Sequence, residues 1–266
     1  MKRKLDFNLS ASTINYFCTC PWAFAQDKVY KRHTIELPST ALVLGQAFHK
    51  LLQWFYSTQT WRTYDLFQKW EQIFDVEAKL QNNKLPGLKY AKASGFTILK
   101  NWVALAKANG WLHEAFTFDS GIKGIEYEFK LPYDNGRFEV DVHGFMDLVI
   151  ECNGRIYILD WKTGKHSKAK YFLQAVLYSW ALYKKHGLIE DCVRFVHPSK
   201  DLNTVIDIKV HDENYDLIVR ATNTIFDAIE QNKFSKNVGD HCKWCKWIDC
   251  PSNTNEGLKQ LIEQME

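Results

Sequence analysis

Residues Val140–Gly164 read VDVHGFMDLVIECNGRIYILDWKTG, and the dipeptide Asn153-Gly154 near its centre decides how the stretch folds. Two β-rich runs flank a pair that favours a tight two-residue hairpin turn. With the turn there, Cys152 faces Arg155 and Glu151 faces Ile156. Stepping outward, Asp147 faces Asp160 with β-carbons about 4.5–5.5 Å apart. Lys162, two residues on, leaves the strand from the same face. Like charges directly opposite one another destabilise a sheet, and a cation between them turns that cost into binding energy. Two carboxylates aimed at one point suit a hard ion such as Mg²⁺ or Mn²⁺. The neighbouring ammonium would hold a phosphate or a nucleophilic water. Phe145, Val149, Ile156 and Ile158 share the acidic face, while Met146, Leu148, Ile150, Tyr157, Leu159 and Trp161 line the other. A hairpin apolar on both faces is covered on both, as in α/β domains. The alternative is a surface hairpin with solvated charges, and one bulge would rotate the two acids apart.

Composition bounds the rest. At 266 residues, 46% hydrophobic and 15% aromatic, the chain is expected to be globular with a sizeable core. A net charge of +3, from 34 basic and 31 acidic residues, does not mark a nucleic-acid binder, so any basic surface is local. No apolar run approaches the roughly 18 residues of a membrane span, and MKRKLDFNLS lacks the apolar stretch of a signal peptide. The expected compartment is the cytoplasm, of a bacterium or of a host cell if the protein is viral, with no membrane partner. Seven cysteines suit a metal site better than a disulfide framework.

The pattern predicts one domain over 1–266, with a helical region at 40–118, a sheet core at 119–211 and a C-terminal helix and cysteine segment at 212–266. A short helix from Ser12 breaks at Cys20-Pro21. Ser39 or Thr40 caps a helix over 41–57, in which Leu42, Gly45, His49, Leu52 and Tyr56 form one stripe. Gly45 would let another backbone come close. Residues 61–116 are mostly helical, interrupted at Pro86-Gly87, with Trp61, Phe67, Trp70, Phe74, Trp102, Trp111 and Phe116 as core or, alternatively, as a lobe that stacks on bases. Strands are expected at 122–131, 138–150 and 155–162, a helix at 167–186, strands at 190–197 and 204–211, and a helix at 213–232. The predicted class is α/β, a central mixed sheet flanked by helices.

Near the C-terminus the chain reads HCKWCKWIDCP. Cys242, Cys245 and Cys250 in one loop are a metal signal that lacks a fourth ligand. Candidates are Cys20, Cys18 and His241; Cys152 and Cys192 lie in strand contexts. Zinc and iron–sulfur are both compatible with thiolates at these spacings.

These residues resemble the RecB-type branch of the PD-(D/E)XK nucleases. GQAFH matches a G-x3-H motif through Gly45 and His49. GFMD matches G-x-x-D through Asp147, DWKTG matches D-x-K-T through Asp160, Lys162 and Thr163, and QAVLY matches Q-x3-Y through Gln174 and Tyr178. The chain is also similar to the iron–sulfur subset, which includes the AddB nuclease domain and CRISPR-associated RecB-like exonucleases. In that subset an early cysteine followed by proline joins three late ones around a 4Fe-4S cluster. Cys20, Cys242, Cys245 and Cys250 fit, with Cys18 as rival for the first place. The last interval, four residues rather than the commoner five, leaves Zn²⁺ as the alternative. The sequence contains no G-x4-G-K-[ST] phosphate loop and hence no recognisable ATP motor.

The resemblance implies a restriction-endonuclease-like core and a metal-dependent deoxyribonuclease, an exonuclease rather than an endonuclease, serving recombination, repair or replication. His49, Asp147, Asp160 and the carbonyl of Trp161 would hold Mg²⁺ or Mn²⁺, the imidazole favouring Mn²⁺. Lys162 would position or activate water, and Gln174 and Tyr178 would orient the lysine or contact the DNA backbone. Glu126 and Glu128 would either assist from the preceding strand or be strand-surface charges. The cluster would be structural. Lys243 and Lys246, with Lys165, His166, Lys168 and Lys170, would touch phosphates or form a solvated face. Expected partners are single- or double-stranded DNA ends and a helicase or recombination protein. The rival readings are a non-catalytic DNA-binding or assembly subunit with a nuclease fold, and a zinc-stapled nuclease without iron.

Overall fold

The computed structural model describes residues 2–34, 39–81, 85–164, 168–199 and 203–256. Strand β1 (Arg3–Lys4) precedes helices α1 (Ala11–Thr19), α2 (Pro21–Phe24), α3 (Thr40–Thr58), α4 (Thr63–Gln81) and α5 (Leu88–Ala108). Strands β2 (Ile125–Asp134), β3 (Phe138–Cys152) and β4 (Arg155–Trp161) follow, then helix α6 (Lys168–His186), strands β5 (Cys192–Pro198) and β6 (Asn203–Ile208), and helix α7 (Asp216–Glu230). The chain divides into a core unit, Pro38–Lys130 with Gly144–Tyr215, and a terminal unit, Met1–Leu37 with Leu131–His143 and Asp216–Glu266. Strands β2 and β3 contribute to both. Among the described residues no helix is long and apolar enough to cross a membrane.

The hairpin forms in the register read from the sequence. Pairing runs from Cys152 opposite Arg155 to Leu148 opposite Leu159. Asn153 and Gly154 both take positive φ, 53° and 72°, the backbone that a two-residue hairpin of this hand requires. Strand β4 then pairs parallel with β5, Asp160 opposite Phe195, and β5 pairs antiparallel with β6. The core unit therefore holds a mixed sheet in the order β3-β4-β5-β6. The parallel step from β4 to β5 is bridged by α6, as parallel neighbours require a long crossover.

One face of this sheet, carrying Leu148, Ile150, Tyr157, Leu159 and Trp161, packs on the buried sides of α3, α4 and α5. Phe55 meets Trp102 edge to face with centroids 5.8 Å apart, and Trp102 meets Trp161 at 6.0 Å in the same way. Trp70, Phe74, Trp102 and Trp111 are buried, so these rings supply core and are not available to stack on bases. Burying each large apolar side chain stabilises the fold by about 1.5–3 kcal/mol. The opposite face carries Asp147, Val149, Ile158 and Asp160, and α6 covers it: Tyr178 reaches Asp160 and Tyr171 stacks on Phe195 with centroids 4.6 Å apart. Phe145, assigned from alternation to the same acidic face, is exposed.

In the terminal unit, Ser10 caps α1 by accepting the Thr13 N–H at 3.1 Å, and Pro21 starts α2. The two-residue β1 pairs parallel with the first residues of β3, an element too short to show in any periodicity. Arg137 joins Asp227 (2.7 Å) and Glu230 (2.5 Å) of α7.

Candidate active site

Every residue of the candidate site lies in the core unit. Ser39 caps α3 by accepting the Leu42 N–H at 3.1 Å, and the helix buries Val43, Ala47, Phe48, Leu51, Leu52, Phe55 and Tyr56. That orientation leaves His49 at the edge of the buried stripe, facing the end of β4. A β-carbon on Gly45, one turn earlier, would stand 3.2 Å from Thr163 Oγ1, so the missing side chain makes room for a hydroxyl just past β4.

The Nε2 of His49 lies 3.0 Å from the carbonyl oxygen of Trp161. A carbonyl only accepts, so Nε2 carries the hydrogen and donates it. Nδ1 then faces Asp147 Oδ1 at 3.3 Å and Glu126 Oε1 at 3.8 Å. Ligand atoms of His49, Glu126 and Asp147 all lie within 4.8 Å of one another. Burial works to lower the pKa of His49, but the charge and hydrogen bond of Asp147, aided by Glu126 and Asp160, raise it well above 6.5.

Asp147 stands one step beyond the last pair of the β3–β4 ladder. Its Oδ2 accepts the Trp161 backbone N–H at 2.6 Å, which leaves Oδ1 turned to the imidazole. Asp160 is nearly inaccessible. Its Oδ2 accepts from Gln174 Nε2 (2.9 Å) and Tyr178 Oη (3.0 Å), and its Oδ1 meets the Lys162 ammonium. That ammonium also lies 5.6 Å from the Phe195 ring centroid and 5.9 Å from that of Tyr171, within cation–π range. Burial raises the pKa of Asp160, against the pull of Lys162 and with the push of Asp147. Burial works to lower the pKa of Lys162, yet Asp160 and Asp147 carry it above its ordinary value, so the side chain stays an ammonium. Tyr178 is pushed well above the usual phenol range by burial and the two carboxylates, so it keeps its proton and donates.

The structure thus brings His49, Asp147, Asp160, Lys162, Gln174 and Tyr178 together, with three differences from the sequence expectation. Gln174 and Tyr178 bond Asp160 rather than Lys162, and Tyr178 is too buried to reach a DNA backbone. The Trp161 carbonyl is engaged by His49. Glu126, weighed both as an assisting residue and as a strand-surface charge, joins the centre itself, whereas Glu128 is exposed. Glu126 sits at φ 44°, a left-handed backbone within a strand that breaks the alternation and was not readable from spacing. Lys165 and His166 lie outside the described residues, as do the side chains of Lys168 and Lys170.

In the terminal unit, Cys20, Cys242, Cys245 and Cys250 all line one cavity of about 360 Å³, together with Trp22, His241, Trp244 and Trp247. The Cys245 thiol is pushed up by burial, with Cys250, Cys20 and Cys242 adding to the shift. His241 Nε2 is bonded to the carbonyl of Asn237 at 2.9 Å. Cys18 is exposed and does not line the cavity. Lys243 pairs with Asp240 at 2.9 Å and Lys246 with Asp27 at 3.3 Å. Cys192 is buried in β5, and Cys152 Sγ lies 3.0 Å from His113 Nε2.

Comparison with protein families matches residues 8–250 to the PD-(D/E)XK nuclease superfamily. The chain belongs to this superfamily. Membership implies a nuclease that uses divalent metal ions, with DNA as its substrate, and a histidine and two carboxylates converging on one point fit such an ion. Among solved structures, one described as "Crystal structure of SSO0001" is similar at 16% identity and a TM-score of 0.47, over 93% of this chain and 87% of that one. No curated protein matches the chain.

Proposed function

We propose that this PD-(D/E)XK chain is a RecB-type, Mn²⁺- or Mg²⁺-dependent DNA exonuclease whose terminal unit holds a 4Fe-4S cluster. The observation that carries the reading is the convergence of His49 Nδ1, Asp147 Oδ1 and Glu126 Oε1 in a site that also holds the buried Asp160–Lys162 pair. His49 Nδ1, Asp147 Oδ1 and Glu126 Oε1 would hold the ion, while the other expected ligands, Asp160 and the Trp161 carbonyl, are engaged by Gln174, Tyr178 and Lys162 and by His49. When bound, a divalent ion there polarises the scissile phosphate and lowers the pKa of attacking water. Lys162, held beside Asp160, offsets charge on the phosphate and positions or activates the water. Gln174 and Tyr178 fix the rotamer of Asp160, which in turn aims Lys162. The RecB-type reading is supported by the order Gly45–His49, Asp147, Asp160–Lys162, Gln174–Tyr178, whose members meet at one site.

The iron–sulfur reading is supported by the shared cavity. In the cell the enzyme would act on DNA ends in the cytoplasm, in recombination, repair or replication, beside a helicase or recombination partner.

Incubating the full chain with end-labelled single- and double-stranded DNA and Mn²⁺ should release short products. Salt-sensitive DNA binding with no cleavage, in Mn²⁺ and in Mg²⁺, would instead establish the non-catalytic subunit. Anaerobically purified protein should be brown and carry iron; a colourless protein with stoichiometric zinc overturns the cluster and leaves the nuclease reading standing.

A further inference from the structure

We infer that Cys152 and His113 form a thiol–imidazole pair that takes up small disulfides by thiol–disulfide exchange at the turn end of the β3–β4 hairpin. Neither residue belongs to the candidate nuclease site. The Nε2 of His113 lies 3.0 Å from Cys152 Sγ, and its Nδ1 lies 2.9 Å from the Glu114 carbonyl oxygen. A carbonyl only accepts, so Nδ1 carries the hydrogen. Nε2 then offers its lone pair, and the thiol donates to it.

The loop that carries His113 is fastened on both sides. Trp111 is buried; its N–H bonds the Ala106 carbonyl at 2.9 Å, and its own carbonyl accepts the Tyr56 hydroxyl at 3.0 Å. Further on, the Phe116 N–H bonds the Val149 carbonyl of β3 at 2.8 Å. Between these two anchors the imidazole is held against the end of β3. Cys152 is the last residue of that strand, half-buried and opposite Arg155. With His113, Asn109, Gly110, Glu151 and Asn153 it lines a shallow pocket of about 320 Å³, which leaves room for a small molecule at the sulfur. Cys192, by contrast, is only 2% exposed.

Burial pushes the Cys152 thiol up, against the pull of Arg194 and with the push of Glu151, so the resting pair is a neutral thiol and a neutral imidazole. Such a thiol is a weak nucleophile until a base takes its proton, and here the base is already in contact. As Sγ attacks one sulfur of a disulfide, its proton passes to His113 Nε2. The bond from Sγ to that sulfur forms, the S–S bond of the incoming molecule breaks, and the leaving thiolate takes the proton from the imidazolium. One thiol and one disulfide enter; one mixed disulfide and one thiol result. Glu151 at the pocket makes a cationic disulfide the better probe.

The test is the rate at which cystamine labels the full chain at pH 7, read for each cysteine by mass spectrometry of its peptide. In wild type, Cys152 should be labelled faster than Cys192. His113→Ala should slow the labelling of Cys152 by at least about tenfold, and free imidazole added to that variant should recover part of the rate. His113→Gln, which keeps a hydrogen-bonding partner without a base, should be as slow. Circular dichroism should match wild type in both variants, because the side chain is half-exposed on a loop. Unchanged labelling of Cys152 in the two variants overturns the inference. So does a slow His113→Ala that imidazole fails to rescue, or a wild type in which Cys152 reacts no faster than Cys192.

Discussion

The phenol of Tyr178 donates to Asp160 Oδ2 at 3.0 Å, and Gln174 Nε2 braces both, at 2.6 Å from the phenol and 2.9 Å from the carboxylate. Replacing Tyr178 by Phe keeps the ring and removes the donor. Hydrogen bonds to charged groups are worth about 1.5–3 kcal/mol, so Tyr178→Phe should lose about that much stability in urea unfolding without metal. Cleavage should fall while DNA binding is kept, because the carboxylate and not the substrate loses its partner.

Lys162→Met should abolish cleavage, a loss of at least about 100-fold for a group that stabilises transition-state charge. It should also lower the melting temperature, since a buried Asp160 is left without its cation. Adding Asp160→Asn should restore much of the melting temperature and none of the cleavage. Melting curves and product gels on the single and double variants separate the two effects.

The charge on His49 links metal, pH and stability. Its pKa is raised above 6.5 in the folded chain, so its contribution to stability is fully present below pH 6.5 and fades as pH rises through the folded value. A metal ion needs the unprotonated Nδ1. Mn²⁺ should therefore bind more tightly, and release fewer protons, as pH rises through the same window. Titration calorimetry in two buffers of different ionisation heat reads the protons directly; affinity that falls with rising pH would contradict the assignment.

A β-carbon at Gly144 would stand 2.6 Å from Cζ of Phe129, whose ring meets that of Tyr178 edge to face at 6.1 Å. Gly144→Ala should cost about 1–3 kcal/mol through overpacking and disturb the Asp160 bracket with it. Shortening the opposing ring with Phe129→Leu should recover part of the loss, measurable as a coupling in a double-mutant cycle.

On the proposed cluster reading, Cys20→Ser should strip iron from the purified protein and Cys18→Ser should not, because Cys20 lines the cavity shared with Cys242, Cys245 and Cys250 whereas Cys18 is exposed. Iron content per chain decides between them.

Much of the site was legible because it depends on local rules. Asn153-Gly154 fixes a turn, the turn sets the register, and the register carries Asp147 to the end of the ladder beside the strand that bears Asp160 and Lys162. Helical spacing likewise placed Gln174 and Tyr178 on one side of α6. What stayed hidden depends on distant contacts. Glu126 reaches the centre through one left-handed residue, and periodicity assumes regular backbone. The side chain that Gln174 and Tyr178 serve is set by how α6 lies on the sheet. Strand β1 is two residues long and exists only because β3 offers it an edge. The aromatics of 61–116 could be read as core or as a base-stacking lobe, and only their burial against the sheet decides.

The cavity in the terminal unit draws its thiols from positions that the ribosome makes at well-separated times. Cys20 leaves the ribosome long before Cys242, Cys245 and Cys250. Strands and helices of the core unit can settle in between, but this cavity closes only once Cys250 has emerged. Any group held by the four thiols would then be loaded after the core unit is made, and a chain cut short before Cys242 would carry the acids of the candidate site and lack the pocket.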